Sequence, residues 1–364
     1  MVYQFRQNSK KMKKNREKHE NDLIQMVKVH PNSVVVYKTN PNCSPGRKAS
    51  CPVFDENFNE IKANQKQPSK NQHNGFLSDK AGARLRTAIK YLFWLSDCIR
   101  LVGKKYVLSP AGKISFLTLT LSYVQQHDDV YIKKKMINQF ITELTSRYPK
   151  MIYIWRAEKQ RNGAIHFHFL LNIFVPHQII REIWNRIQAK EGYIQAYHDK
   201  FCNLDFWNYL RINSYTDSTK LDQYRKQYNY GQSTNWMNPN STDIQSLKKI
   251  KNVYAYISKY ISKNLKSSEN CTEAEIEEYK IEGRIYYCST KISKIKQIPK
   301  ELTSDEISEL DKLHTIVPDK FFICDFYTLI SISPEFLYNF KCFKLFSIFV
   351  NSIKPIYPSL FNTT

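Results

Sequence analysis

No two of the eight cysteines, Cys43, Cys51, Cys98, Cys202, Cys271, Cys288, Cys324 and Cys342, stand in CxxC spacing. The close ligand pairs of a structural zinc site are therefore missing, and so is the density of a secreted disulfide scaffold. Cys43 and Cys51 could form half of an irregular metal site, but free thiols in a reducing compartment are the expectation. Uninterrupted apolar runs of about 18 residues, the length a membrane span needs, are also missing. The richest stretch, 321–332, contains Asp325 and is soon stopped by Pro334. The first residues are basic and polar with no apolar region behind them, so no secretion signal is expected. Acidic residues are scarce as well. Asp and Glu number 33 against 55 Lys and Arg, a formal net charge of +22 over 364 residues. A nucleotide bias toward A and T would inflate Lys, Asn, Ile and Tyr together, but not this imbalance of sign. A polyanionic partner accounts for it through phosphate neutralisation and counterion release. The apolar share, 42%, is that of an ordinary globular protein with a sizeable core.

Residues 1–75 read as a basic, largely disordered arm. Lys10, Lys11, Lys13, Lys14, Arg16 and Lys18 form a charge run, and a short strand over 33–37 is the one interruption expected. Order is expected from Ser78, which suits a helix cap ahead of Ala81, Leu85, Ile89 and Leu92. Strands are expected over 114–121, 151–158, 164–173 and 284–288, and helices over 133–147, 176–187 and 253–265. Residues 190–250 are polar and aromatic without a readable period. The sum is an α+β domain over 76–295, a central antiparallel sheet flanked by helices, followed by an extension of unknown role over 296–364.

His166-Phe167-His168 lies inside an expected strand, where residues i and i+2 share a face, so both imidazoles could bind one metal. Roughly 0.2 such triplets would arise by chance, so the motif depends on its context. Its apolar flanks, Ile165, Phe169, Leu170 and Leu171, put it in a packed sheet. Glu158 is the candidate third ligand. A two-residue turn at Asn162-Gly163 would pair it with Phe167 on the wrong face. A three-residue loop, Arg161-Asn162-Gly163, pairs it with His166, and Gly163 then holds the left-handed position such loops favour. Glu158 could instead pair with Lys159 or Arg156 at the surface. Two His and a carboxylate leave positions open for water and a phosphate oxygen, which suits Mg2+ or Mn2+.

The sharpest signal is the tandem Tyr256-Ile-Ser-Lys259-Tyr260-Ile-Ser-Lys263. On a helix, Tyr256 and Tyr260 would project side by side, with Lys259 and Lys263 in an adjacent row. A tyrosine nucleophile needs its phenolate stabilised and the attacked phosphate neutralised, and a nearby Lys serves both. At most ~0.04 such tandems would arise by chance, too few for a merely Tyr-rich core helix.

These blocks, in this order, resemble the His-hydrophobic-His (HUH) initiators of rolling-circle replication. Phe116-Leu-Thr-Leu-Thr120 looks like their first motif, and Glu158, Gly163, His166 and His168 look like their metal motif. The tyrosine tandem is similar to the two-tyrosine motif of initiators from small single-stranded DNA phages, the microvirus A-protein type. Gly283 to Ser289 looks like the strand that follows the tyrosine helix. The resemblance covers about residues 78–295. It implies an RRM- or ferredoxin-like sheet with the His pair on a central strand and the tyrosine helix across it. It also implies metal-dependent nicking and joining of single-stranded origin DNA through a 5′-phosphotyrosine, in the cytoplasm of a host cell, with a bacterial host favoured. Gly103 and Gly112 are each followed by Lys, but neither completes GxxxxGK[ST], so helicase and polymerase are expected from other proteins. Two rival readings are a two-tyrosine transposase of the same chemistry and a non-catalytic single-stranded DNA-binding protein. The second explains the charge but not the ordered His and Tyr motifs.

Overall fold

The computed structural model describes residues 24–39, 53–54, 60–61, 75–96, 99–102, 104–108, 114–160, 162–247, 279–295, 297, 299–324 and 327–353. In chain order the strands are β1 (Ile24–His30), β2 (Ser33–Thr39), β3 (Val53–Phe54), β4 (Glu60–Ile61), β5 (Ile99–Val102), β6 (Lys105–Leu108) and β7 (Ser115–Thr120). They continue with β8 (Tyr153–Lys159), β9 (Ile165–Leu171), β10 (Thr242–Ser246), β11 (Tyr286–Cys288), β12 (Lys300–Glu301), β13 (Phe321–Ile323) and β14 (Tyr327–Ile330). The chain is α+β, as expected, but it builds two five-stranded antiparallel sheets in two compact units rather than one. The strands β3 and β4 pair with each other, as do β5 and β6.

The unit of residues 73–99 and 108–294 carries the sheet β10-β7-β9-β8-β11. Alternation along β9 divides its side chains between two faces. Phe167 and Phe169 take one face, where Phe140 of helix Asn138–Arg147 meets Phe169 edge-on at 5.8 Å and Trp184 of helix His177–Lys190 at 5.9 Å. The second helix owes its docking to Ile180, Ile183, Trp184 and Ile187, all buried and all at helical spacing. Each such side chain contributes about 1.5–3 kcal/mol on leaving water. Helix Asp79–Leu95 starts where expected, with the Ser78 hydroxyl accepting from the Ala81 amide at 3.2 Å. The expected helix over 133–147 begins earlier, at the Asp128 cap, and passes through a π-helical stretch, Ile132–Ile137.

Residues 190–250 gave no readable period, yet they fold into helices Tyr193–Phe201, Phe206–Ile212 and Leu221–Ser233 before β10. Their rings make a small core of their own, with Phe201, Phe206, Tyr209, Leu210 and Trp236 buried. Trp236 stacks on Phe201 at 5.2 Å, and Tyr215 on Tyr224 at 4.2 Å.

The other unit, residues 1–72, 100–107 and 295–364, carries the sheet β12-β1-β2-β14-β13. Here the structure differs from the expected arm. Within 1–75, β1 and β2 form a hairpin, and β2 includes the short strand expected at 33–37. Its other partners, β12 and β14, come from the stretch beyond 296. Helix Phe343–Ile353 packs against β1 through Leu345, Phe346, Ile348 and Phe349. Helix Ser304–Ile316 opens on a capping box in which Thr303 and Glu306 bond reciprocally, and the buried Glu306 also takes Lys300. No helix among the described residues is long and apolar enough to cross a membrane.

Candidate metal and nucleic-acid site

The hairpin of β8 and β9 pairs Glu158 with His166 and Arg156 with His168. Gly163 takes φ +75°, the left-handed value that the three-residue loop required. On the far side of β9, Thr120 pairs with His166 and Thr118 with His168. Two rows therefore cross the middle of the sheet on one face, Glu158-His166-Thr120 and Arg156-His168-Thr118.

In each row a threonine hydroxyl lies 3.2 Å from the imidazole Nδ1, Thr120 at His166 and Thr118 at His168. This turns both Nε2 atoms to the same side, 3.2 Å apart. The Glu158 Oε2 sits 3.3 Å from the His168 Nε2, while its Oε1 meets Arg156 at 3.3 Å. Both partners weighed for Glu158 from the sequence, imidazole and Arg156, are thus present, one on each oxygen. Arg156 is buried, not at the surface. Phe116 stacks on His168 at 5.2 Å and closes the apolar end of the face.

Burial pushes the His166 imidazole down to about 4, helped by His168 and opposed by Glu158, so the ring is neutral at neutral pH. Burial works against the ionised Glu158 carboxyl. The His168 hydrogen bond and the Arg156 charge outweigh it and hold the pKa below the usual carboxylate range.

No group of three or more His, Cys, Asp or Glu side chains among the described residues is posed to hold a metal ion as it stands. The donor chemistry nonetheless fits a divalent cation. A neutral imidazole with its Nδ1 engaged presents an Nε2 lone pair, and the hydroxyl behind it is the outer partner that metal-bound histidines use. Adjacent ligands of an octahedral ion at about 2.1 Å lie about 3 Å apart, close to the donor spacings of 3.2 and 3.3 Å here.

Tyr256, Tyr260, Lys259 and Lys263 lie outside the described residues. The chain on either side of them is placed. Leu247, just after β10, donates to Ile114 at one edge of the sheet. The return is at the opposite edge, where β11 pairs with β8 as the expected final strand. The approach to β11 is pinned by a buried ionic group. Asp129, 3% exposed, takes Lys159 at 2.7 Å, Gln125 at 2.9 Å and the Glu282 amide at 3.2 Å. Lys133, from the π-helical turn, donates to the Glu282 carbonyl. Burial lowers that ammonium to about 8 against the pull of Asp129.

Sequence reasoning gave no supporting role at the His pair to Arg156, Thr118 or Thr120, and none at all to Asp129. For the first three the signal was available, since each stands at even spacing from a chosen residue on a paired strand. Asp129 carried none, because its partners are remote in sequence. No match is found among curated proteins or among solved structures. Residues 114–265, from the entry to β7 through the tyrosine tandem, match the family model of the ORF2-type replication-associated proteins, and this stretch of the chain is similar to that family.

Proposed function

We propose that the chain initiates rolling-circle replication by nicking single-stranded DNA, and that Glu158, His166 and His168 hold a divalent cation at the scissile phosphate. The observation that carries this reading is the pair of Nε2 atoms facing Glu158, each backed by a threonine, inside a stretch similar to replication-associated proteins. When bound, Mg2+ or Mn2+ would polarise the phosphate oxygens as a Lewis acid.

The chain's own residues have separate tasks. The hydroxyl of Tyr256 or Tyr260 attacks phosphorus and loses its proton. The bond to the 3′ oxygen breaks, and the strand is left with a 5′-phosphotyrosine and a free 3′-hydroxyl. Lys259 and Lys263 stabilise the phenolate and neutralise the phosphate. The second tyrosine can then attack the regenerated junction, which closes a circle. Arg156 holds one oxygen of Glu158 and so fixes the direction of the other. Duplex must be opened elsewhere, because a paired, stacked backbone does not reach a tyrosine backed by a sheet.

The test is a covalent adduct between the full chain and single-stranded origin oligonucleotide, resolved by denaturing gel and mapped by mass spectrometry. Adduct on Tyr256 or Tyr260, absent from the double Phe variant, is the expected result. Adduct on Tyr254, or undiminished adduct in the double variant, would overturn the assignment.

A further inference from the structure

Beside the His pair, in the same unit, the helices that follow 190 enclose a cavity of about 560 Å3. Thr120, whose hydroxyl backs His166, lines it, so the cavity and the candidate metal site share a wall. Its surface is made of rings, Tyr197, Tyr209, Tyr215, Tyr230 and Trp236, with Arg181 and Lys226 as cations and Gln223 and Gln227 as amides.

Two features set it apart from a loosely packed core. Three polar atoms in its lining, Ser122 Oγ, Arg181 Nε and Trp236 Nε1, are buried with no hydrogen-bond partner among the described residues. Buried polar groups are nearly always paired, and three orphans on one cavity wall call for a ligand that pairs them. The backbone is also strained there. Asn235 and Trp236 both take positive φ, 48° and 54°, a conformation that a bulky side chain adopts only when its surroundings impose it. What imposes it is Gly231. A Cβ added there would fall 2.2 Å from the Trp236 ring, so the indole is laid flat on bare backbone.

We propose that this cavity receives one unstacked base of single-stranded DNA, adjacent to the phosphate at His166 and His168. The position beside that phosphate rests on the function proposed above; the base-binding role rests on the cavity. A base has two faces for rings and an edge of acceptors and donors for the orphaned N–H groups and the amides. Burial lifts the Tyr197 phenol to about 12, so it stays a protonated donor. Arg181 and Lys226 meet the flanking phosphates.

The experiment uses the full chain and single-stranded oligonucleotides carrying 5-iododeoxyuridine at successive positions, with photocrosslinks mapped by mass spectrometry. Crosslinks to Tyr197, Tyr209, Tyr215, Tyr230 or Trp236 are expected from one or two adjacent positions, and none from the matching duplex. An abasic site at the same position should weaken binding about five- to hundred-fold. Trp236→Phe, which keeps the ring and removes the N–H, should shrink that abasic penalty. Crosslinks confined to other segments, with an abasic scan that is flat along the strand, would overturn the proposal even if the variant failed to fold. Covalent adduct without cavity crosslinks sinks the base pocket and spares the nuclease. Cavity crosslinks without adduct do the reverse.

Discussion

The two imidazoles are held by neighbours that differ in kind. Each Nδ1 meets a neutral hydroxyl, while the Nε2 atoms face each other and a carboxylate. Removing one ring leaves too few donors for a cation but leaves the basic surface intact. His168→Ala should therefore abolish nicking and keep most oligonucleotide binding, because phosphate contacts dominate affinity. EDTA should reproduce the defect in the unaltered chain, and Mg2+ or Mn2+ should reverse it there but not in the variant. Nicking by His168→Ala in chelator, read on a sequencing gel, would end the metal reading. In the other unit, Glu306 offers a test by pH. Burial opposes its ionisation, yet Lys300 and Thr303 prevail and hold its pKa below the ordinary 4.5. A depressed carboxyl stabilises the fold above its unfolded pKa and loses that contribution as pH falls through the folded value. Below about pH 4.5 the native chain should lose stability more steeply than Glu306→Gln. Parallel pH profiles of denaturation midpoint for the two chains would contradict this.

Two glycines separate strain from crowding at the scale of elements. Gly163, in the β8–β9 loop, has positive φ and nothing within 4 Å of an added Cβ. Gly163→Ala should cost only the left-handed penalty, about 1–2 kcal/mol. Gly231→Ala drives a methyl into the Trp236 ring, an overpacking cost of about 1–3 kcal/mol, and should also disturb the cavity. Chemical denaturation gives both costs, and only the second change should alter oligonucleotide affinity. Equal affinity in both variants would show that the Trp236 shelf plays no part in binding. The same hairpin shows what the sequence could disclose. The alternation in β7, β8 and β9 is local, and Gly163 settled the loop length, so the pairing of Glu158 with His166 was legible. The helices Tyr193–Phe201, Phe206–Ile212 and Leu221–Ser233 were not. Their cores are tyrosines, which carry a polar tip and blur the apolar stripe on which a helical period depends. The strand at 33–37 was visible, but its sheet partners β12 and β14 lie far along the chain, and no local pattern announces a distant pairing.

For the whole molecule, the charge of +22 predicts binding that falls steeply with salt. A plot of log affinity against log salt should have a slope of several units, and removing residues 1–20 should flatten it without ending cleavage. A slope near zero would contradict the electrostatic account. The second sheet has a further consequence, one of timing. Tyr37 of the early hairpin pairs with Tyr327, 290 residues later (327 − 37 = 290). At about 5–20 residues per second, a ribosome needs roughly 15–60 s to deliver that partner. Until Lys300 is made, both edges of the β1–β2 hairpin stay open, although Cys288 has by then completed the described strands of the His-bearing sheet. A nascent chain halted between these two residues would therefore carry the paired imidazoles on a finished sheet and, ahead of it, an uncapped ribbon ready to join another chain's edge.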